Sequence, residues 1–303
     1  MTRRVSVEGG GGRRAGGNVV DTASGYGASE EITGEVLAGR RDRYVVASKY
    51  TMARDPDDPN AGGNQRKNLV LTLEQSLRRL RTDYLDVYWV HIWDRHTPIE
   101  ETVRALDDAV RAGKILHVGI SDAPAWVVSR ANTLAEWRGW TPFAGVQVPY
   151  SLLNRDIERE LLPMAEYLGL SIAAWGPLAG GVLTGKHAAG PVAGTRREGR
   201  KLDERERTAA RAVQRVAADL GATPSQVALA WTRAKSPAVQ PIIGASDTAQ
   251  LADNLGAVDL RLPEEAVRAL DEASGFAPGP LHDFLAGADE AVGAGGLRLD
   301  TGD

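Results

Sequence analysis

The sequence contains no cysteine, which excludes disulfides, thiol nucleophiles and cysteine-ligated metal in a single step. A chain of this kind fits a reducing compartment, and the cytoplasm is the expected location. A metal signature is lacking too. His91, His96, His117, His187 and His282 are scattered, with no HExxH or comparable ligand spacing, so no metal is expected. Nor is there a sustained basic stripe. With 36 basic against 40 acidic residues the net charge is −4, which leaves no electrostatic footprint for nucleic acid or anionic lipid. No apolar run approaches the roughly 18 residues that cross a bilayer, and the opening "MTRRVSVEGGGGRRAGG" lacks the apolar stretch of a signal peptide. Neither a nucleic-acid nor a membrane partner is expected, and a small-molecule ligand is. The oligomeric state is left open.

What is present is an ordinary globular composition, 43% hydrophobic and 25% charged over 303 residues, enough for one large domain or two smaller ones. Seven short Val/Ile-rich runs begin at Asn18, Tyr44, Tyr84, Ile115, Phe143, Ser171 and Val239. Between them lie stretches of helical period. Leu69, Leu73, Leu77 and Leu80 mark one face of a helix over Asn68 to Arg81. Other stretches end on Gly113, on Gly169 (from Asp156) and on Gly221, and a further one starts at Thr223; each terminal glycine suits a helix C-cap. Strands alternating with amphipathic helices predict βαβ units and a parallel sheet. Eight such units close a (β/α)8 barrel of the TIM type, and an open doubly wound sheet is the competitor. The sequence shows seven, so the α/β barrel is expected to be incomplete at the N-terminus. Residues 18–276 are read as the barrel, 1–17 as a flexible leader and 277–303 as a partly disordered tail.

A polar residue closes each of the first five runs: Asp21, Lys49, His91, Ser121 with Asp122, and Gln147. In a parallel barrel these emerge on one rim, the C-terminal rim where barrel enzymes keep their chemistry. Singly, each has an ordinary explanation: a turn cap, a solvated lysine, a satisfied core histidine. Jointly with Tyr26, in the Gly-flanked loop after the first run, they make an acid-base device. An ammonium beside a phenol favours the phenolate, a carboxylate holds that ammonium, and a histidine polarises a carbonyl or relays its proton.

The blocks "DTASGYGASEE", "VVASKY", "SLRRLRTDYLDVYWVHIWD", "VGISDAPAW", "VQVPYSLLNR", "AWGPLAGGVLTGK" and "PIIGASDTAQLADNL", in this order, resemble the aldo-keto reductase superfamily from about Asn18 to Ser274. The resemblance implies a (β/α)8 barrel that moves hydride between NADP or NAD and a small aldehyde, ketone or alcohol, without a GxGxxG fold. It implies Tyr26 as general acid, Lys49 and Asp21 as its support, and His91 as the residue that orients the carbonyl. Ser121, Asp122 and Gln147 would hold the nicotinamide carboxamide, with Trp175 near the ring. Gly176, Pro177, Leu178, Gly180, Leu183, Gly185 and Lys186 would wrap the pyrophosphate. Gly244, Ser246, Gln250 and Asn254 would serve the adenosine end.

The same loop, "GGVLTGKH", nearly spells a P-loop but has His187 where Ser or Thr is required, and "HAAGPVAG" opens no helix, so a nucleotide-triphosphate site is set aside. Three features depart from the family pattern. The first strand and helix that normally precede the "DT" block are missing. Position 122 is Asp where Asn is common, so it accepts but does not donate. The block from Gly244 has no Arg or Lys, and Asp247 would repel a 2′-phosphate, which favours NAD over the family's habit of NADP. The function expected is NAD(P)-dependent carbonyl reduction; a catalytically impaired or cofactor-sensing barrel is the alternative. Trp93, Tyr50 and Trp126 suggest an aromatic-lined mouth for the substrate.

Overall fold

Each of the seven Val/Ile-rich runs forms a strand: β1 (Val19–Asp21), β2 (Val45–Tyr50), β3 (Leu85–Val90), β4 (Ile115–Ser121), β5 (Phe143–Pro149), β6 (Ser171–Trp175) and β7 (Val239–Pro241). The computed structural model describes residues 17–186 and 201–292. The expected leader, apart from residue 17, therefore lies outside the described residues, as do His187 and the end of the expected tail. The strands pair in parallel and in chain order, as successive βαβ units require. Helices α1 (Ser29–Leu37), α2 (Arg66–Leu80), α3 (Ile99–Arg111), α4 (Ala125–Arg138) and α5 (Leu161–Tyr167) link β1 through β6. Helices α6 (Glu204–Leu220) and α7 (Pro224–Ala234) precede β7, and α8 (Thr248–Leu255), α9 (Glu264–Ser274) and α10 (Pro280–Val292) follow it. Among the described residues no helix is long and apolar enough to cross a membrane.

The sheet is curled. Strands β1 and β5 are four places apart, about 19 Å in a flat sheet, yet Gln147 Nε2 donates to Asp21 Oδ1 at 3.1 Å. Curling lets side chains of distant strands meet on the inner face. Among the described residues β1 and β7 remain the outer strands of the order, so this is a seven-stranded, incomplete (β/α)8 barrel. On the outer face Val20, Val46, Ile172, Ala174 and Val239 are buried with the helix residues Leu69, Leu73 and Leu77. On the inner face Trp89 lies across β4 and β5, and a Cβ at Gly119 would stand 2.3 Å from its Cζ3. Val19 shares the inner face with Asp21 and is 66% exposed, so this side of the interior meets solvent.

Three elements differ from the sequence expectation. The continuous helix over Asp156 to Gly169 is instead a 3-10 turn, Asp156–Glu158, followed by α5. Pro163 explains the break, because its ring would clash with the carbonyl of Arg159 in an unbroken helix, and Glu158 is drawn to Arg155 and Tyr150. Strand β7 stops at Pro241, short of the full run from Val239; proline is tolerated there because its nitrogen faces away from β6, and Ile242 N still donates to the Ala174 oxygen at 2.8 Å. The segment from 277, read as a tail, contains α10. The glycines expected as helix stops behave so: Gly113, Gly169 and Gly221 have φ of 71°, 65° and 63°, a conformation that other residues adopt at a cost.

Candidate active site

The inner face of β2 places Lys49 where no water reaches it. A buried ammonium costs several kcal/mol unless paired, and this one forms an ion pair with the Asp21 carboxylate and donates to the Thr22 carbonyl oxygen at 2.9 Å. Asp21 is held from the opposite side by Gln147, so both of its oxygens are engaged.

Tyr26 stands in the turn after β1, where its N–H bonds the Ala23 oxygen at 3.0 Å. Its ring centroid lies 4.9 Å from Lys49 Nζ. Its hydroxyl is 3.4 Å from His91 Nε2, and the two rings meet edge to face at 5.5 Å. Loop and strand ends thus bring Asp21, Tyr26, Lys49 and His91 into one cluster.

Burial, with the Lys49 charge adding to it, lowers the His91 pKa from its ordinary 6.5 to about 4. The imidazole is therefore neutral at neutral pH. Its Nδ1 is buried without a hydrogen-bond partner among the described residues. A buried N–H left unpaired is rarer than an unpaired acceptor, which favours the tautomer with the proton on Nε2. His91 then faces the Tyr26 hydroxyl as a donor. Such an arrangement can protonate and polarise one oxygen atom seated between Tyr26 and His91.

Ser121 ends β4 and is buried, while Asp122 beyond it adopts φ of 47°. Asp122 Oδ1 accepts from Trp175 Nε1 at 3.1 Å, which fixes an indole that is 42% exposed at the rim. Asp122 and Gln147, both expected to hold a carboxamide, thus have partners within the rim: Asp122 accepts from Trp175, and Gln147 donates to Asp21. The Gln147 carbonyl oxygen and the Ser121 hydroxyl stand beside them as further polar groups.

The loop from Gly176 turns sharply, with φ of 69° at Gly176, 68° at Gly180 and 79° at Gly185. Gly181, Leu183 and Gly185 donate their N–H groups within the loop, to Leu178, Leu178 and Val182; Pro177 and Leu183 are buried and Lys186 is exposed. At α8, Asp247 accepts from Gln250 N at 2.8 Å, Gln250 Nε2 returns to Asp247 Oδ2 at 2.9 Å, and Ser246 N donates to Gln250 Oε1 at 3.1 Å. Asn254 is buried, and Gly244 is exposed with open space around it. Of the residues expected to serve the adenosine end, Gln250 is bonded to the cap of its own helix and Asn254 is buried.

Sequence reasoning missed the Thr22 carbonyl, which no side-chain pattern can reveal, and the Trp89 floor, whose signal was the pair Gly119 and Gly145 on adjacent strands. Trp93 and Trp126 do meet, edge to face at 5.6 Å, while Tyr50 is fully buried against Tyr88 and so does not line the mouth. Among the described residues no group of three or more His, Asp or Glu is placed to hold a metal ion.

Comparison with known proteins agrees with this architecture. The model of the Aldo/keto reductase family matches residues 13–274. A norsolorinic acid reductase of Aspergillus flavus is 38% identical over 283 residues, 89% of this chain and 71% of the relative. An aryl-alcohol dehydrogenase (NADP+) of Phanerodontia chrysosporium is 36% identical over 297 residues, 91% of this chain and 77% of the relative. A probable aryl-alcohol dehydrogenase of Saccharomyces cerevisiae is 35% identical over 299 residues, 92% and 89% of the two chains.

Proposed function

The chain belongs to the aldo/keto reductase family, and from that premise we propose that it reduces aryl aldehydes or ketones to alcohols, with Tyr26 as the general acid and NADP or NAD as the cofactor. The observation that carries this reading is the packing of the Lys49 ammonium, paired with Asp21, against the Tyr26 ring beside a neutral His91.

The residues present fit a nicotinamide dinucleotide at one end better than at the other. Trp175 offers a flat, half-exposed indole at the ends of β4 to β6, beside Ser121 and the Gln147 amide. The turn through Gly176, Gly180 and Gly185 leaves room for close backbone approach. A bound nicotinamide supplies hydride to the carbonyl carbon, or accepts it from the alcohol. The protein's own residues manage the proton. On this reading the His91 Nε2–H and the Tyr26 hydroxyl would turn from each other to a carbonyl oxygen seated between them, Tyr26 would release its proton to that oxygen, and the Lys49 ammonium would stabilise the negative charge left on the phenol. Asp21 and the Thr22 carbonyl keep the ammonium in place.

Trp93 and Trp126 support an aromatic substrate, because an edge-to-face indole pair, with Trp126 59% exposed, offers stacking area to a planar ring. The names of two relatives, aryl-alcohol dehydrogenase and norsolorinic acid reductase, agree with that class. Asp247 at the start of α8 favours a cofactor without a 2′-phosphate, against the NADP+ in the name of one relative. The test is to mix the purified protein with NADH or NADPH and a panel of aldehydes that includes 4-nitrobenzaldehyde. Turnover that is lost in Tyr26→Phe supports the reading. Turnover that survives in Tyr26→Phe ends it, and cofactor binding without turnover would favour a sensor.

A further inference from the structure

Thr51 follows β2 directly and has a φ of 99°. A β-branched residue is crowded in that conformation, so the surrounding contacts must impose it. The Thr51 carbonyl oxygen accepts from Gly63 N at 2.9 Å. Its hydroxyl donates to Asn64 Oδ1 at 2.7 Å and accepts from the His91 backbone N–H at 3.2 Å. That N–H is shared with the Tyr50 carbonyl, also at 3.2 Å.

Asn64 is buried and has every polar group engaged. Its N–H donates to Asp94 Oδ2 at 3.2 Å and its Nδ2 to the Ile92 oxygen at 3.2 Å. Its carbonyl oxygen accepts from Tyr50 and Thr102 hydroxyls, each at 3.4 Å. Asp94 in turn accepts from the Thr97 hydroxyl at 2.6 Å and from His96 N at 2.8 Å. One hydroxyl and one amide therefore join the exit of β2 to the segment that begins with His91.

We propose that Thr51 and Asn64 form a bracket that positions His91, fixing its backbone so that Nε2 meets the Tyr26 hydroxyl. Thr51 acts through His91 and is a positioning residue. The inference rests on the reductase reading of the Tyr26–His91 pair. The hydroxyl, rather than the shape of the side chain, is the working part. Valine keeps the branch but leaves Asn64 Oδ1 without its donor and His91 N with Tyr50 alone. Serine keeps both bonds and relieves crowding.

Thr51→Val, Thr51→Ser, Asn64→Ala and the Thr51→Val/Asn64→Ala double variant, made in the full chain, test this with two readouts. One is steady-state reduction of 4-nitrobenzaldehyde with NADH or NADPH. The other is hydrogen exchange of the His91 backbone amide in the ligand-free protein. In Thr51→Val, kcat should fall about tenfold, a small part of what misplacement of a reacting group can cost, with KM within about twofold. Exchange at His91 should quicken. Thr51→Ser should retain both properties, and the double variant should be no worse than Asn64→Ala, as for residues acting as one unit. Wild-type kcat and wild-type exchange in Thr51→Val would overturn the proposal. So would a Thr51→Ser variant as impaired as Thr51→Val, which would assign the effect to backbone crowding. Absence of turnover in the wild type would instead count against the reductase reading, and the exchange measurement would still decide the bracket.

Discussion

At the rim built by β1, β2, β3 and β5, side chains from Asp21, Lys49, His91 and Gln147 meet across as many as 126 positions of sequence. At the start of α8, Ser246, Asp247 and Gln250 bond one another within four positions. The first set is satisfied only by the curled sheet, and its members are buried or half-buried, so removing one leaves a costly unpaired group. The second set is exposed, and water can replace any of its bonds. The difference teaches where the structure tolerates change: the cluster at the strand ends is enclosed by partners from several strands, whereas the bonds at α8 are local and exposed.

The contrast is broken most directly at Tyr26. Tyr26→Phe removes one oxygen and should lower kcat/KM by about 10³-fold, within the usual range for a general acid, while cofactor affinity measured by fluorescence quenching stays the same. Next comes Lys49→Met, which leaves the Asp21 carboxylate buried beside an apolar chain. A broken buried pair costs about 3–5 kcal/mol, and denaturant unfolding should show a loss of that size. An unchanged midpoint would mean that the rim is less rigid than its contacts imply.

A smaller effect is expected from pH. Because His91 has a folded value of about 4 against an ordinary 6.5, the unfolded chain takes up the proton first as pH falls. The stability linked to this group is complete above pH 6.5 and is lost between 6.5 and 4. His91→Gln should flatten that part of the stability profile, and an unaltered slope would contradict a neutral, buried imidazole. The smallest effect is expected at α8. Gln250→Ala should move cofactor affinity by no more than about twofold and cost about 1 kcal/mol or less through the helix cap. A tenfold loss of affinity would reverse the comparison and show that Gln250 leaves its cap for the ligand.

Much of the fold was legible in the chain. Seven β-rich runs marked seven strands, and Gly113, Gly169 and Gly221 marked three helix ends, because period and cap chemistry are local properties. Helix α4 was less legible: its buried residues are Ala125, Val127, Val128, Ala131 and Ala135, while Trp126 and Trp137 are exposed, so its largest apolar residues lie on the wrong face. The split before α5 required weighing Pro163 above the surrounding periodicity. At the site, the types and strand-end positions of Asp21, Lys49 and His91 could be listed from sequence. The partners of Gln147 and Asp122 could not, because each depends on which strand end the curl brings near.

By itself the sequence determined the alternation of strands and helices and the placing of a carboxylate, an ammonium and an imidazole at successive strand ends, since both follow from residue order and period. Only the tertiary structure decided that these groups touch, that His91 is neutral, that Thr51 is forced into a positive φ and that Gln250 turns back on its helix. Those outcomes depend on burial and on distances between residues far apart in the chain. A string of residues holds neither quantity until the sheet has curled.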